Sequence, residues 1–198
     1  MLSGALVVVS VIPYAIRVYQ GKIETQITSW VLWALIGFAL LVTYKSSGAE
    51  ANVWPAVFGF TNPFIVMMLT IKRLGRNGWI KPDRIEAVCI AICVISLGLW
   101  LKLNQVKELV QYALYLAILA DICSAIPTFK FVLRNPDKDR PFAWVAFAIA
   151  YGLAIFAITN HTPANYILPI WMVIGPLVIA FPMIRFRWHI RAPWKEWI

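Results

Sequence analysis

Apolar residues in this chain run in long blocks rather than in alternation, and short clusters of polar, Gly and Pro residues separate the blocks. Seven blocks are legible, at about residues 2 to 19, 29 to 45, 52 to 71, 85 to 102, 109 to 133, 142 to 160 and 165 to 186. A membrane-crossing helix takes roughly 20 residues at about 1.5 Å of rise each, and even the first block reaches about 27 Å. That block starts at the initiator Met with no basic n-region and no small-residue cleavage site, so a retained helix rather than a signal peptide is expected. The predicted fold is all-α: a polytopic membrane protein of seven transmembrane helices.

Composition agrees with the pattern. The chain is 61% hydrophobic and 14% charged, where soluble domains run near 45–50% apolar and about 25% charged. Its 198 residues leave no room for a separate soluble catalytic domain. The net charge of +9 suggests nucleic acid in a soluble protein, but the placement of the charges gives another reason. Arg17 and Lys22; Lys72, Arg73, Arg76, Lys81 and Arg84; Lys130, Arg134, Lys138 and Arg140; and Arg185, Arg187, Arg191 and Lys195 all fall in the first, third and fifth connections and the tail. Only Lys45, Lys102 and Lys107 fall on the other side. Basic residues are retained on the cytoplasmic side, so the alternation predicts a multi-pass protein of the cell membrane, N-terminus outside and C-terminus cytoplasmic. The tail from Arg185 to Trp197 interleaves basic and aromatic residues as an interfacial anchor does, and no nucleic-acid partner is expected.

At a shift of 114 residues the chain resembles itself. Ser10, Ile12 and Pro13 match Ser124, Ile126 and Pro127; Trp30, Val31 and Ala34 match Trp144, Val145 and Ala148; Pro55 matches Pro169. With one gap, Gly37 falls against Gly152 and Pro63 against Pro176. The expected organisation is a first three-helix unit at 1–73, a basic loop and linker helix at 74–108, a second unit at 109–187 and a tail at 188–198. A unit of three helices followed directly by its copy would place the copy upside down, and one linker helix restores the orientation. The repeat is therefore parallel, with its pseudo-twofold axis along the membrane normal.

This 3+1+3 arrangement resembles the PQ-loop and SWEET group of transporters, to which the nicotinamide riboside transporters are structurally similar. It is closer still to a group of uncharacterised bacterial integral membrane proteins. Their first-half signature is seen here as Pro13-Tyr14, Gly21-Lys22 and Ser29-Trp30, and their second-half signature as Asp121 before Ile126-Pro127-Thr128. The resemblance covers nearly all of residues 10 to 187 and implies a small-solute carrier working by alternating access. Two departures speak against sugar. The Gln of the Pro-Gln pair is replaced by Tyr14 and Thr128, and the place of the sugar-stacking Trp holds Tyr44 in one half and Ile158 to Asn160 in the other.

Asp121 stands near the middle of the fifth block, where an ionised carboxylate costs about 2.5–3.5 kcal/mol by insertion scales, and such residues face cavities and mark proton or substrate paths. It is the candidate for substrate binding and proton coupling; the structural alternative is a protonated Asp bonding a carbonyl freed by Pro127. Asn62 stands at mid-depth of the third block, where the resemblance implies a pocket Asn; its alternative is to satisfy backbone exposed by Pro63. Trp171, Tyr44 and Tyr151 are further substrate-binding candidates, each weighed against core packing. Pro13, Pro63, Pro127 and Pro176 sit mid-block and predict broken or kinked helices that act as hinges. Trp30, Trp33 and Trp144 at the inner ends, with Trp54 and Trp100 at the outer ends, read as aromatic-belt anchors.

Other chemistry finds little support. Glu86 begins the fourth block, where it complements the helix dipole. Cys89 and Cys93 share a face without further ligands, Cys123 is isolated, and the only histidines are His161 and His189, so no metal or cofactor is expected. A retinal protein needs a lysine in its last helix, and residues 165 to 184 hold none. Asp121 has no acidic partner at its depth, and neither H-E-x-x-H nor G-x-S-x-G occurs, so the chain is not expected to be an enzyme. The expected partners are the lipid bilayer and an unidentified small solute. Because both halves lie in one chain a monomer suffices, with a homo-oligomer left open. A seven-helix receptor or a structural membrane protein without transport is the alternative.

Overall fold

Seven apolar blocks become seven helices. The computed structural model describes residues 2–25, 27–46, 53–75, 84–103, 106, 109–159, 161 and 163–198. Among these the helices are α1 (Leu2–Tyr19), α2 (Ile27–Ser46), α3 (Val53–Leu74), α4 (Arg84–Leu103), α5 (Val110–Arg134), α6 (Pro141–Ile155) and α7 (Pro163–His189), and no strand occurs. A short 3-10 helix, Trp194–Glu196, lies in the tail. Arg76, Lys81, Lys107 and Asn160 lie outside the described residues, as do the side chains of Tyr44, Lys45, Trp54, Glu86, Cys89 and Cys93.

Helix bounds follow the apolar blocks closely, with one correction. The sixth helix was expected to reach residue 160 and stops at Ile155, where Ala157 and Ile158 donate to the carbonyls of Ala154 and Ile155. These three-residue bonds tighten and end the last turn, although the sequence stays apolar through Ile158. Stretches of three helices, Val57–Leu74, Leu114–Arg134 and Asn165–His189, are long and apolar enough to cross a membrane. The prolines bear on the same point, for of the two forms expected, broken or kinked, the broken one is not seen. Helices α1, α3, α5 and α7 run without interruption through Pro13, Pro63, Pro127 and Pro176, so none is broken at these positions.

Within the first half α3 packs on both α1 and α2, and within the second α7 packs on both α5 and α6. Across the halves α1 meets α6 and α2 meets α5. Exchanging the halves returns the same set of pairs, and α4 stands apart from it, lying on α5 and α2. Details repeat as well. Ser10 Oγ donates to the Val7 carbonyl and Ser124 Oγ to the Asp121 carbonyl, each at 2.7 Å and each 114 residues from its counterpart. Two pairs of counterparts touch one another. The Trp30 and Trp144 rings lie 6.2 Å apart. Lys138 Nζ lies 2.9 Å from Glu24 Oε1, while Glu24 N–H donates to the Lys138 carbonyl.

Two glycines let chains approach closely. Gly21 has φ +76°, which an L side chain rarely adopts, and a Cβ there would lie 2.8 Å from the Arg73 guanidinium. Arg73 uses that space to donate to the carbonyls of Val18, Ile23 and Gly21, tying α3 to the turn after α1. Gly37 on α2 faces the backbone of α3, and a Cβ on it would lie 2.5 Å from the Gly59 carbonyl oxygen and 2.8 Å from Phe60 Cα. That carbonyl is the one whose helical donor Pro63 removes. Small residues at such crossings let helix backbones pack where the surroundings offer no hydrophobic drive. Gly152, the counterpart of Gly37, has only Val173 Cγ2 at 3.9 Å. Gly37→Ala is therefore expected to cost about 1–3 kcal/mol, the range for overpacking, and Gly152→Ala close to nothing. Thermal melts of the two variants in detergent check this; equal losses would contradict the close contact.

The lateral surface is apolar on every helix. Val9, Leu35, Met68, Val94, Leu119, Ile149 and Phe181, one from each helix in turn, are exposed. One end of the bundle is basic and bonded together. Arg73 holds the turn after α1, Lys138 meets Glu24, Arg17 donates to the Lys195 carbonyl, and Arg187 donates to the carbonyls of Pro136, Asp139 and Glu196. The start of α6 joins this network, with Phe142 N–H donating to the Trp197 carbonyl.

Candidate functional site

A cavity of about 110 Å³ lies between the two halves. An apolar cavity of about 150 Å³ suffices for benzene, so this one suits a compact solute. Helices α1, α2 and α3 line one side and α5, α6 and α7 the other; α4 contributes nothing among the described residues. Counterparts face each other across the space: Val11 and Ala125, Trp33 and Phe147, Asn62 and Gly175, Pro63 and Pro176.

The cavity gathers Asp121, Asn62 and Trp171. Asp121 is buried halfway along α5, and its Oδ2 accepts a bond of 2.6 Å from the Trp171 indole N–H of α7. The alternative expected from sequence, a bond from Asp121 to the carbonyl freed by Pro127, is not the bond that forms. Trp171 owes its position to Gly175, one turn further along α7, where a Cβ would lie 3.0 Å from the indole ring. Thus where one half presents Asn62, the other has a glycine, and an indole fills the room beside it. Asn62 is buried and donates through Nδ2 to the Val7 carbonyl of α1 at 3.3 Å. It therefore bridges α3 to α1 rather than serving the backbone opened by Pro63.

Tyr151 is not part of this wall. It is 1% exposed and packs with Phe147, Val7 and Ala150 in the core, its hydroxyl close to Gly59. Pro63 and Pro176 line the cavity, whereas Pro13 and Pro127 do not.

The largest correction concerns the tryptophans. Trp30 and Trp33, expected to be belt anchors, are buried at 8% exposure, and with Trp144 and Tyr14 they wall the cavity. Tyr14 lies 5.5 Å from Trp30, Trp30 lies 5.2 Å from Trp33, and Trp33 lies 5.7 Å from Trp144, centroid to centroid. Edge-to-face and tilted arrangements of this kind are favourable for aromatic pairs. Trp100 is buried too, against Ala39, Leu97 and Leu103. Helix-end position is what belt and cavity tryptophans share, and the inward direction follows only from the packing of α1, α2 and α6. A signal existed nonetheless: Trp30 and Trp144 are repeat counterparts, and counterparts near an axis point toward each other.

Beneath the aromatic cluster lies a group absent from the sequence reading. Asp139, in the α5–α6 connection, is 3% exposed. Its Oδ2 accepts from Trp144 Nε1 at 3.1 Å and from the Tyr14 hydroxyl at 3.4 Å, and its Oδ1 accepts from the Arg140 N–H at 2.6 Å. Burial pushes its pKa up to about 6, partly offset by the Arg140 and Trp144 bonds, the Arg187 charge and the Tyr14 bond. Two cavity-lining rings are thus fastened to the basic end through one carboxylate.

Among the described residues, no group of three or more His, Cys, Asp or Glu is placed to hold a metal. Comparison of the chain with protein-family models, with curated proteins and with solved structures returns no match.

Proposed function

We propose that the chain is a seven-span membrane protein of the PQ-loop and SWEET type that carries a small solute by alternating access between two parallel three-helix units. The observation that carries this reading is the cavity between the halves, with buried Asp121 and Asn62 on opposite walls. A solute held there touches both units, so their rocking would expose it to one side and then the other. Membrane residence is supported by the three long apolar stretches and by the exposed apolar side chains on all seven helices, since soluble monomers rarely expose such patches beyond a few hundred Å². The remaining four helices complete the span count in this reading, and the basic end faces the cytoplasm.

The parallel repeat has geometric support. Residues related by a twofold axis touch one another only where the axis passes. Trp30 meets Trp144 and Glu24 meets Lys138, both at the basic end rather than at mid-depth. An axis in the membrane plane would bring counterparts together at mid-depth instead. The Asp139 and Arg187 bonds then form the closed inner gate, and Asp121 is the group through which protons couple to the solute.

Proteoliposomes holding the full chain, screened with amino acids, vitamin precursors, amines and sugars with and without a pH gradient, test the proposal. Saturable uptake of one class is expected, reduced tenfold or more in Asp121→Asn, with the pH response lost. Saturable binding with no flux would point to a receptor instead, and the absence of both would remove the carrier reading.

A further inference from the structure

We infer that the cavity selects small organic cations, with Asp121 as counter-ion and the surrounding aromatic rings as walls; this rests on the carrier reading above and names the substrate class of that site.

Charge decides the sign. The titratable side chains lining the cavity are Asp121 and Tyr14, and no Lys, Arg or His lines it among the described residues. The chain carries 18 basic residues, yet those seen in the bonding network gather at one end of the bundle. An anion in the cavity would meet a carboxylate and no cation, so anions are disfavoured.

Polar inventory argues against a neutral polyol. The Ser10 hydroxyl donates its one proton to the Val7 carbonyl, and Asn62 Nδ2 donates one of its two N–H groups to the same atom. A sugar would bury many hydroxyls with few free partners, and each unpaired polar group carries a desolvation cost.

Tyr14, Trp30, Trp33, Trp144, Phe147 and Trp171 supply the walls. Aromatic faces carry negative charge density and attract cations, Trp most strongly, and more so where water is excluded. Asp121 is held ready for the same ligand. Trp171 fixes Oδ2, so the carboxylate is held in one orientation at the cavity it lines. About 110 Å³ suits a compact ammonium rather than a long polyamine.

The test uses the purified full chain in detergent, with tryptophan fluorescence and melting temperature as readouts. Tetramethylammonium, tert-butanol and pivalate share a branched tetrahedral centre and differ in charge. Tetramethylammonium is expected to bind saturably and at least tenfold more tightly than tert-butanol, with pivalate weaker still. Asp121→Asn is expected to bring tetramethylammonium down to the tert-butanol level. Equal binding of tert-butanol, preference for pivalate, or no binding of tetramethylammonium overturns the inference. The three wild-type titrations decide it even where the variant does not fold. Counterflow in proteoliposomes separates the two readings: cation binding without flux leaves the cation site standing and removes the carrier, while flux of neutral or anionic solutes without cation binding does the reverse.

Discussion

Arg187→Ala is expected to destabilise the protein by about 3–5 kcal/mol, because several buried carbonyls lose their donor at once. Arg187 is 1% exposed, and its guanidinium donates to the carbonyls of Glu196 at 2.7 Å, Pro136 at 2.8 Å, Asp139 at 2.5 Å and Met183 at 3.4 Å. These acceptors belong to the tail, the α5–α6 connection and α7 itself. Alanine leaves carbonyls buried without donors, at about 1–3 kcal/mol each, and the terms overlap because the loop and tail relax together. Arg187→Lys is expected to recover less than half of the loss. An ammonium keeps the charge but lacks the rigid fork that serves three segments at once. Denaturation in detergent, followed by tryptophan fluorescence, measures both. A loss below about 1 kcal/mol for Arg187→Ala would show that the connection and tail hold without it.

From sequence, Arg187 was one of many basic residues marking a membrane side, and nothing set it apart from Arg185 or Arg191. Its role depends on the connection and tail folding beneath α6, contacts between segments far apart in the chain. The helices were legible because continuous apolar runs of this length have few other solutions. The repeat was legible because matching residues recur at a fixed shift. Asp121 and Asn62 stood out because polar side chains at that depth are costly, and both line the cavity. The facing of a tryptophan at a helix end was not legible. Burial depends there on which neighbour the helix meets, and by position alone Trp30, Trp33 and Trp144 are indistinguishable from anchors. The end of α6 was hidden likewise, since Phe156 to Ile158 are apolar and only backbone bonding ends the helix. Asp139 was hidden by its place in a polar connection, where an acid is ordinarily solvated.

That buried carboxylate gives the second large effect, a stability that falls as pH rises through about 6. Its pKa stands at about 6 against the ordinary 3.8 of an Asp side chain, chiefly because burial disfavours the charged form. The folded protein therefore holds a proton that the unfolded chain releases between these two values. The stabilising contribution is fully present below about 3.8 and is lost as pH rises through about 6. A shift of about two units corresponds to about 3 kcal/mol. Protonated at Oδ2, Asp139 can donate to the Tyr14 hydroxyl, which reverses its own bond, while Oδ1 keeps the Arg140 N–H. The Trp144 indole has no such freedom, because it only donates. Melting in detergent at pH 5 and pH 7.5 is expected to show the wild type more stable at the lower pH by about 1.4 kcal/mol, the part of the loss that falls between pH 5 and about 6, after subtraction of the same difference in Asp139→Asn. Tyr14→Phe removes a bond that favours the ionised form and is expected to move the transition to higher pH. A wild-type difference no larger than that of Asp139→Asn would mean that Asp139 stays ionised at the basic end throughout, and that its bonds to Trp144 and Tyr14 hold irrespective of pH.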